Sequence, residues 1–342
     1  MLAKFRRKYL RFIYGPIVIF FIKTLSLFYT RRTIQRMVKS FIRELNSSKV
    51  SRIRIVYNFA DSPHTFGDFM VVVMLCRFLA LSKHKPLLTV VDSTRRSDWI
   101  ELNEKLQNDR INDLISLARH LLPEAVKVEL VKNYLPMSSE INLDSKSFYA
   151  AAPYFLDLLI SKYKWDIPEN FLLGPTSNYT GEPYIAWHVR QAIYDFERNS
   201  TPSAIKEDFR VLQNRFPEHS VMIISDSTGL ENTFQVLTGS SETKTQIVGG
   251  TKVLAQPMQG FQNAIPAVLR ASFYFQRGGG GIGVAAIFSS VPYINLCPSK
   301  SYFHGRRGGR VAPWANEHQH FLYVKKNLQL FSIAKLLKNL KA

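Results

Sequence analysis

The second half of the chain repeats one pattern, and that pattern limits the folds open to it. Short, nearly continuous apolar runs alternate with helical stretches: "YIAWHVR" (184–190), "SVMIISD" (220–226), "TQIVGG" (245–250), "SFYFQ" (272–276) and "PYINL" (292–296). A strand that is apolar on both faces has to be covered on both faces, and helices supply the cover in a parallel sheet. The first half carries the same alternation more loosely. "RIRIVYNF" (52–59), "PLLTVVDS" (86–93) and "VKVELV" (126–131) read as strands, and 69–84 and 148–163 read as helices. The stretch 165–183 is rich in turn formers and marks a boundary. The expected fold class is therefore α/β, with two Rossmann-like domains over 51–175 and 183–330, a segment 1–50 ahead of them and a C-terminal helix over 331–342.

Charge separates segment 1–50 from the rest. The net charge is +19, but residues 1–54 hold fourteen Lys/Arg against one acid, Glu44, which leaves +6 for the other 288 residues. A basic segment can bind nucleic acid. Here the accompanying apolar content points to a membrane instead, and no nucleic-acid partner is expected. "FIYGPIVIFFIKTLSLFYT" (12–30) contains Phe20 and Phe21 and one charge, Lys23. Its length is near the ~20 residues that span a bilayer. In "RRTIQRMVKSFIRELN", Ile34, Met37, Val38, Phe41, Ile42 and Leu45 share one helical face, while Arg31, Arg32 and Arg36 lie largely off it. That is the pattern of a basic helix lying on an anionic membrane surface, and equally of a helix packed on the protein's own core. The expected placement is peripheral, monotopic or single-span, on the cytoplasmic face of a membrane. Only two cysteines occur, Cys76 and Cys297, so a disulfide framework is excluded.

Ligands of open parallel sheets bind beyond the carboxyl ends of the strands. That rule selects His188 and Arg190, Asp226, the Gly249–Gly250 pair, and the stretch Arg277, Gly278, Gly279, Gly280 and Gly281. Arginine's forked donors suit phosphate, and bare glycine backbone lets a diphosphate approach closely. The glycine run lacks the lysine of a P-loop, and it comes too late in the domain for a dinucleotide fingerprint. In the first half, "NFADSPHTFGDF" (58–69) joins a strand to a helix and offers Asp61, His64 and Asp68 as general bases, with helix capping as Asp68's other reading. Asp195 and Glu197 are rival bases in the loop after Arg190, and "HGRRGGR" (304–310) forms a basic loop with His304, Arg306, Arg307 and Arg310.

These residues resemble a known group. Two α/β domains, an arginine after the first strand of the second domain and a late glycine-rich strand-to-helix turn look like the GT-B glycosyltransferases. "YIAWHVRQAIYDFERN" (184–199) is similar to the His-Val-Arg segment of the α1,6-fucosyltransferase, NodZ and protein O-fucosyltransferase group. "FYFQRGGGGIGVAAIFSSVPYINL" (273–296) resembles the late donor-binding turn of bacterial surface-polysaccharide transferases. The resemblance implies that Arg190 contacts the donor diphosphate, that no metal or cofactor is required, and that a GDP-sugar is the favoured donor. It implies sugar transfer from a nucleotide-sugar to a lipid-linked or membrane glycan acceptor in surface polysaccharide synthesis. A GT-B-fold nucleotide-sugar epimerase and a non-catalytic membrane-attached scaffold are the alternatives.

Overall fold

The structure is a computed structural model. It describes residues 32–47, 52–60, 62, 65–92, 104–137, 139–144, 152–174, 181–190, 199–258, 261–278, 281–297, 312–315, 318–323, 332–334 and 337. The chain divides into two compact units, Met1–Val50 and Ser51–Ala342.

In the first unit, helix α1 runs over residues 32–45. Ile34, Val38 and Phe41 are buried, while Arg32, Arg36, Lys39 and Arg43 are exposed. Phe41, expected as a membrane contact, is one of these buried residues. Among the described residues no helix is long and apolar enough to cross a membrane. Residues 12–30, with Phe20 and Phe21, and Arg31 lie outside the described residues.

The second unit holds two sheets. The first contains β1 (Arg52–Asn58), β2 (Pro86–Val91), β3 (Lys127–Val131) and β4 (Glu140–Asp144), all parallel, in the order β3-β2-β1-β4. Its helices are α2 (Phe66–Leu81), α3 (Glu104–Leu121) and α4 (Ala152–Ser161). Helix α2 is buried on nearly every side from Phe69 to Leu79, and this explains its all-round apolar, valine-rich sequence. Tyr57 of β1 meets Phe69 edge to face at 5.0 Å. The opposite face of this sheet is polar. There Arg54 is bonded to Glu140, Glu129 and Thr89, and its guanidinium sits 5.5 Å from the Tyr134 ring.

The second sheet contains β5 (Tyr184–His188), β6 (Ser220–Ser225), β7 (Gln246–Val248), β8 (Thr251–Pro257), β9 (Phe273–Arg277), β10 (Tyr293–Cys297) and β11 (Gln319–Tyr323). The order is β11-β10-β9-β5-β6-β8-β7, parallel except for the β7–β8 hairpin. Helices α5 (Pro202–Arg215), α6 (Ser227–Thr238), α7 (Phe261–Leu269) and α8 (Gly283–Ile287) complete it. Thr201 caps α5, its hydroxyl accepting from the Ala204 N–H, with Pro202 at the first turn as the sequence suggests. Ile185, Trp187 and Val189 of one sheet face pack with Ile205, Phe209 and Leu212 of α5.

Several boundaries differ from expectation. Strands β4, β8 and β11 were not anticipated. Gly249 and Gly250 are not a ligand-side strand end but the positive-φ turn of the β7–β8 hairpin, at the amino end of β8. Helix α8 has five residues, not the ten of "GIGVAAIFSS". The expected C-terminal helix over 331–342 lies mostly outside the described residues.

The halves of the second unit meet along a seam. Leu173 N–H donates to the Phe288 carbonyl at 2.7 Å, and Phe171, Phe288 and Trp314 form an aromatic cluster. Arg77 of α2 donates to the carbonyls of Leu121, Asn170 and Phe171. Helix α8 is held at its far end by Gln319 Nε2, which donates to the Ser289 and Val291 carbonyls, and by Trp314 Nε1 on the Ile287 carbonyl.

Candidate functional site

The strand orders locate the crevice. In the second sheet the chain moves from β5 to β6 on one side and later places β9 on the other, so the connections diverge beyond the carboxyl ends of β5 and β9. A divergence of this kind is where open α/β sheets bind ligands. His188, Arg190 and the glycine turn all stand there. In the first sheet β1 has the same position, flanked by β2 and β4, and its carboxyl end leads into Thr65 and α2.

Two glycines bring the two ends together. A Cβ on Gly281 would lie 2.8 Å from the Gly67 nitrogen, and one on Gly67 would lie 3.0 Å from the Gly281 Cα. Backbone meets backbone here, at a distance no side chain would allow. Asp68 is the next residue after Gly67, so the candidate base of the first half lies beside the late turn of the second. Asp68 is in the first turn of α2 and Thr65 is the cap: Thr65 Oγ1 donates to Asp68 Oδ2 and accepts from the Asp68 N–H. Burial raises the Asp68 carboxyl above its ordinary value, against the pull of the Thr65 hydroxyl. A carboxylate with raised proton affinity suits proton abstraction from a hydroxyl.

The glycine turn itself is used in part by the fold. Gly278 has φ +93, a left-handed conformation that favours glycine. Its N–H donates to the Leu296 carbonyl and so continues the β9–β10 ladder rather than facing a ligand. Gly281 accepts from Val284 N–H. Gly279 and Gly280 lie outside the described residues, as do Asp61, His64, Asp195, Glu197 and the 304–310 loop.

Arg277 is placed elsewhere than expected. Side chains alternate across a strand, so Arg277 points with Phe273 and Phe275 toward α5, away from the face of Gln276. It is fully buried, and its Nε lies 2.8 Å from Asp208 Oδ2, with a second bond from Nη2 to Oδ1. Burial lifts the Asp208 carboxyl to about 6 against the pull of Arg277, which leaves that carboxyl mainly ionised at neutral pH. The expectation of Arg277 as a donor contact is corrected: it is an internal strut. Asp226 is exposed, and its side chain accepts from Gly229 N–H at 2.7 Å, capping α6. The carboxylate therefore occupies the helix start that an anion would otherwise use.

His188 and Arg190 remain at the crevice. Arg190 is half-buried just past β5. His188 is 3% exposed, and burial, then the nearby Arg190 charge, push its imidazole down to about 3. It is neutral at physiological pH. It faces Gln276 in register on β9, and Tyr274 Oη donates to Gln276 Oε1. Tyr293 and Asn295 of β10 continue the same face, opposite Tyr274 and Gln276. The sequence reading missed Tyr274, Tyr293 and Asn295 as site neighbours. Their signal was a polar residue at matching parity in each of two otherwise apolar strands. Among the described residues no cluster of three or more His, Cys, Asp or Glu side chains could hold a metal.

No protein-family profile matches the sequence, and a search of curated proteins finds no match. Solved structures do match. The glycosyl transferase family 9 protein from Veillonella parvula DSM 2008 superposes with a TM-score of 0.52 at 12% identity, over 84% of this chain and 95% of that one. The iron-containing dodecameric glycosyltransferase TibC of enterotoxigenic E. coli H10407 gives 0.46 at 13% identity, over 85% and 76%. The E. coli ADP-heptose LPS heptosyltransferase II gives 0.43 at 13%, over 84% and 97%. None of these three is named as a fucosyltransferase, and the likeness of segment 184–199 to that group is not confirmed by them. What the Veillonella protein shares with this chain is the fold, an α/β architecture with two sheets.

Proposed function

We propose that the protein is a glycosyltransferase that moves a sugar from a nucleotide-sugar to a hydroxyl of a membrane-associated or lipid-linked glycan in cell-surface polysaccharide synthesis. One observation carries this reading. Gly67 and Gly281 close the two sheet ends onto each other, so that a carboxylate of raised proton affinity, Asp68, borders the same region as the turn after β9. Arg190 follows β5 at the neighbouring strand end. In this reading Arg190 stabilises the departing diphosphate electrostatically and Asp68 takes the acceptor's proton. The fold shared with a family 9 glycosyltransferase supports the reaction class. The apolar segment 12–30 and the exposed Arg32, Arg36, Lys39 and Arg43 of α1 support attachment to the anionic cytoplasmic face of a membrane.

A thermal-shift screen of the full chain against GDP-, UDP-, ADP-, CMP- and dTDP-sugars tests the donor site. A rise in Tm with at least one of them, abolished by Arg190→Ala, is expected. No shift with any would overturn the transferase reading. Flotation with anionic but not neutral liposomes tests the attachment.

A further inference from the structure

One face of the second sheet buries polar side chains under α8 and leaves three of them without a partner. His188 Nδ1, Tyr293 Oη and Asn295 Oδ1 are all inaccessible to water and make no hydrogen bond. The three residues are at most 3% exposed. They are joined by register. His188 lies opposite Gln276, Gln276 opposite Asn295, and Tyr293 opposite Tyr274. Between them, Tyr274 Oη donates to Gln276 Oε1. Helix α8 starts on this pair at Gly283, where a Cβ would collide with Gln276 Oε1. Side chain and glycine are fitted to each other, so the layer is built rather than left over.

Buried polar atoms without partners cost about 1–3 kcal/mol each. Three on one sheet face, running from Tyr293 at the start of β10 through Asn295 to His188 at the carboxyl end of β5 where this architecture binds ligands, imply a partner that arrives from outside. Their chemistry selects it. His188 bonds to Gln276, a contact that favours the protonated ring and so uses an imidazole N–H. Nδ1 makes no bond, so that N–H is on Nε2, and in the neutral ring Nδ1 is an acceptor. Asn295 Oδ1 is an acceptor as well. A phosphate oxygen is also an acceptor and satisfies neither. A carbon-bound hydroxyl donates to one such acceptor, so two hydroxyls satisfy the pair, and Tyr293 Oη donates to the oxygen of either.

We infer that this layer is the hydroxyl-reading part of the donor site, in which His188 Nδ1 and Asn295 Oδ1 accept hydrogen bonds from hydroxyls of the bound nucleotide-sugar. Gln276 and Tyr274 are positioning residues that fix the His188 ring and its tautomer. Arg190, two residues beyond His188, holds the charged diphosphate, so the site divides into a cationic part and a neutral acceptor part. Engagement takes an outward shift of α8. The inference rests on the transferase reading above and deepens it.

The test uses the full chain and two probes: the nucleotide-sugar of the panel that gives the largest Tm shift, and inorganic pyrophosphate, which has the charge but no carbon-bound hydroxyl. Calorimetry should show His188→Leu and Asn295→Leu each weakening the nucleotide-sugar about fivefold, the loss of one neutral hydrogen bond, with pyrophosphate affinity within twofold of wild type. Arg190→Ala should weaken both probes. Equal losses on both probes in the Leu variants, or none on the nucleotide-sugar, overturn the inference. If Arg190→Ala still weakens binding in that case, the donor reading survives alone. If neither probe binds wild type, both fall. A second measurement needs no folded variant at position 188: in histidine-15N-labelled wild type, the Nδ1 resonance of a neutral Nε2–H ring should move with the nucleotide-sugar and stay put with pyrophosphate. A response already present with the nucleoside diphosphate assigns the hydroxyl to ribose, and one that needs the sugar assigns it to the transferred group. Movement with pyrophosphate alone, or with neither probe, overturns the inference.

Discussion

The two sheets both bury polar side chains on one face, and they treat them differently. On the first sheet Arg54 is saturated by Glu140, Glu129 and Thr89, and its bond to Glu140 holds that carboxyl below its ordinary value. On the second sheet the set under α8 keeps His188, Tyr293 and Asn295 unsatisfied. A closed ionic network locks strands together. An open neutral one keeps bonding capacity in reserve. Arg277 and Asp208 show the closed kind again, a few ångströms of strand away but on the other face. Parity across β9 thus separates a structural strut from a reading surface within two consecutive residues, Gln276 and Arg277.

The largest effect should come from breaking the closed pair. Arg277→Ala leaves the buried Asp208 carboxyl without its partner, which costs about 3–5 kcal/mol. Denaturant unfolding checks this, and a stable variant that loses ligand binding would return Arg277 to the donor site. Next is Gly281→Ala, whose methyl would press on the Gly67 backbone. It should cost toward the upper end of ~1–3 kcal/mol and weaken nucleotide-sugar binding together with stability, because the turn moves away from Asp68. Full stability in that variant would show that the two sheet ends do not meet.

The pH response of His188 comes third. Its folded value, about 3, lies below the ordinary 6.5, so between those limits the unfolded chain binds a proton that the folded chain refuses. The contribution is complete above 6.5 and is lost as pH falls, by about 2 kcal/mol between pH 7 and pH 5. The His188→Leu variant should lose that much less over the same interval. Equal slopes would mean that the imidazole is not buried as a neutral acceptor. The smallest effect belongs to Asp226→Ala, a lost helix cap of about 1 kcal/mol with unchanged ligand affinity. A large affinity loss there would move Asp226 from the cap into the site.

Much of the architecture was legible because the strands that anchor it are buried on both faces. Strands β1, β2, β5, β6, β9 and β10 announce themselves as apolar runs, and Thr201-Pro202 announces α5. The edges were not legible. "EINLD" and "TKVLAQP" mix polar and apolar residues because each is covered incompletely, and β11 follows the 301–311 stretch with little pattern of its own. Of the candidate site, His188, Arg190 and Asp68 were readable from strand ends and turn composition. Which glycines touch each other was not.

The sequence by itself determined the alternation of strand and helix, the basic N-terminal segment, and the residues that stand at strand ends, since period and composition are local properties of the chain. Tertiary structure decided partnership. It sent Arg277 to Asp208, joined Gly67 to Gly281 across more than two hundred residues, and lined up His188, Gln276 and Asn295 from three separate strands. Register and face are set by how strands pair and helices cover them, and no single segment contains that information.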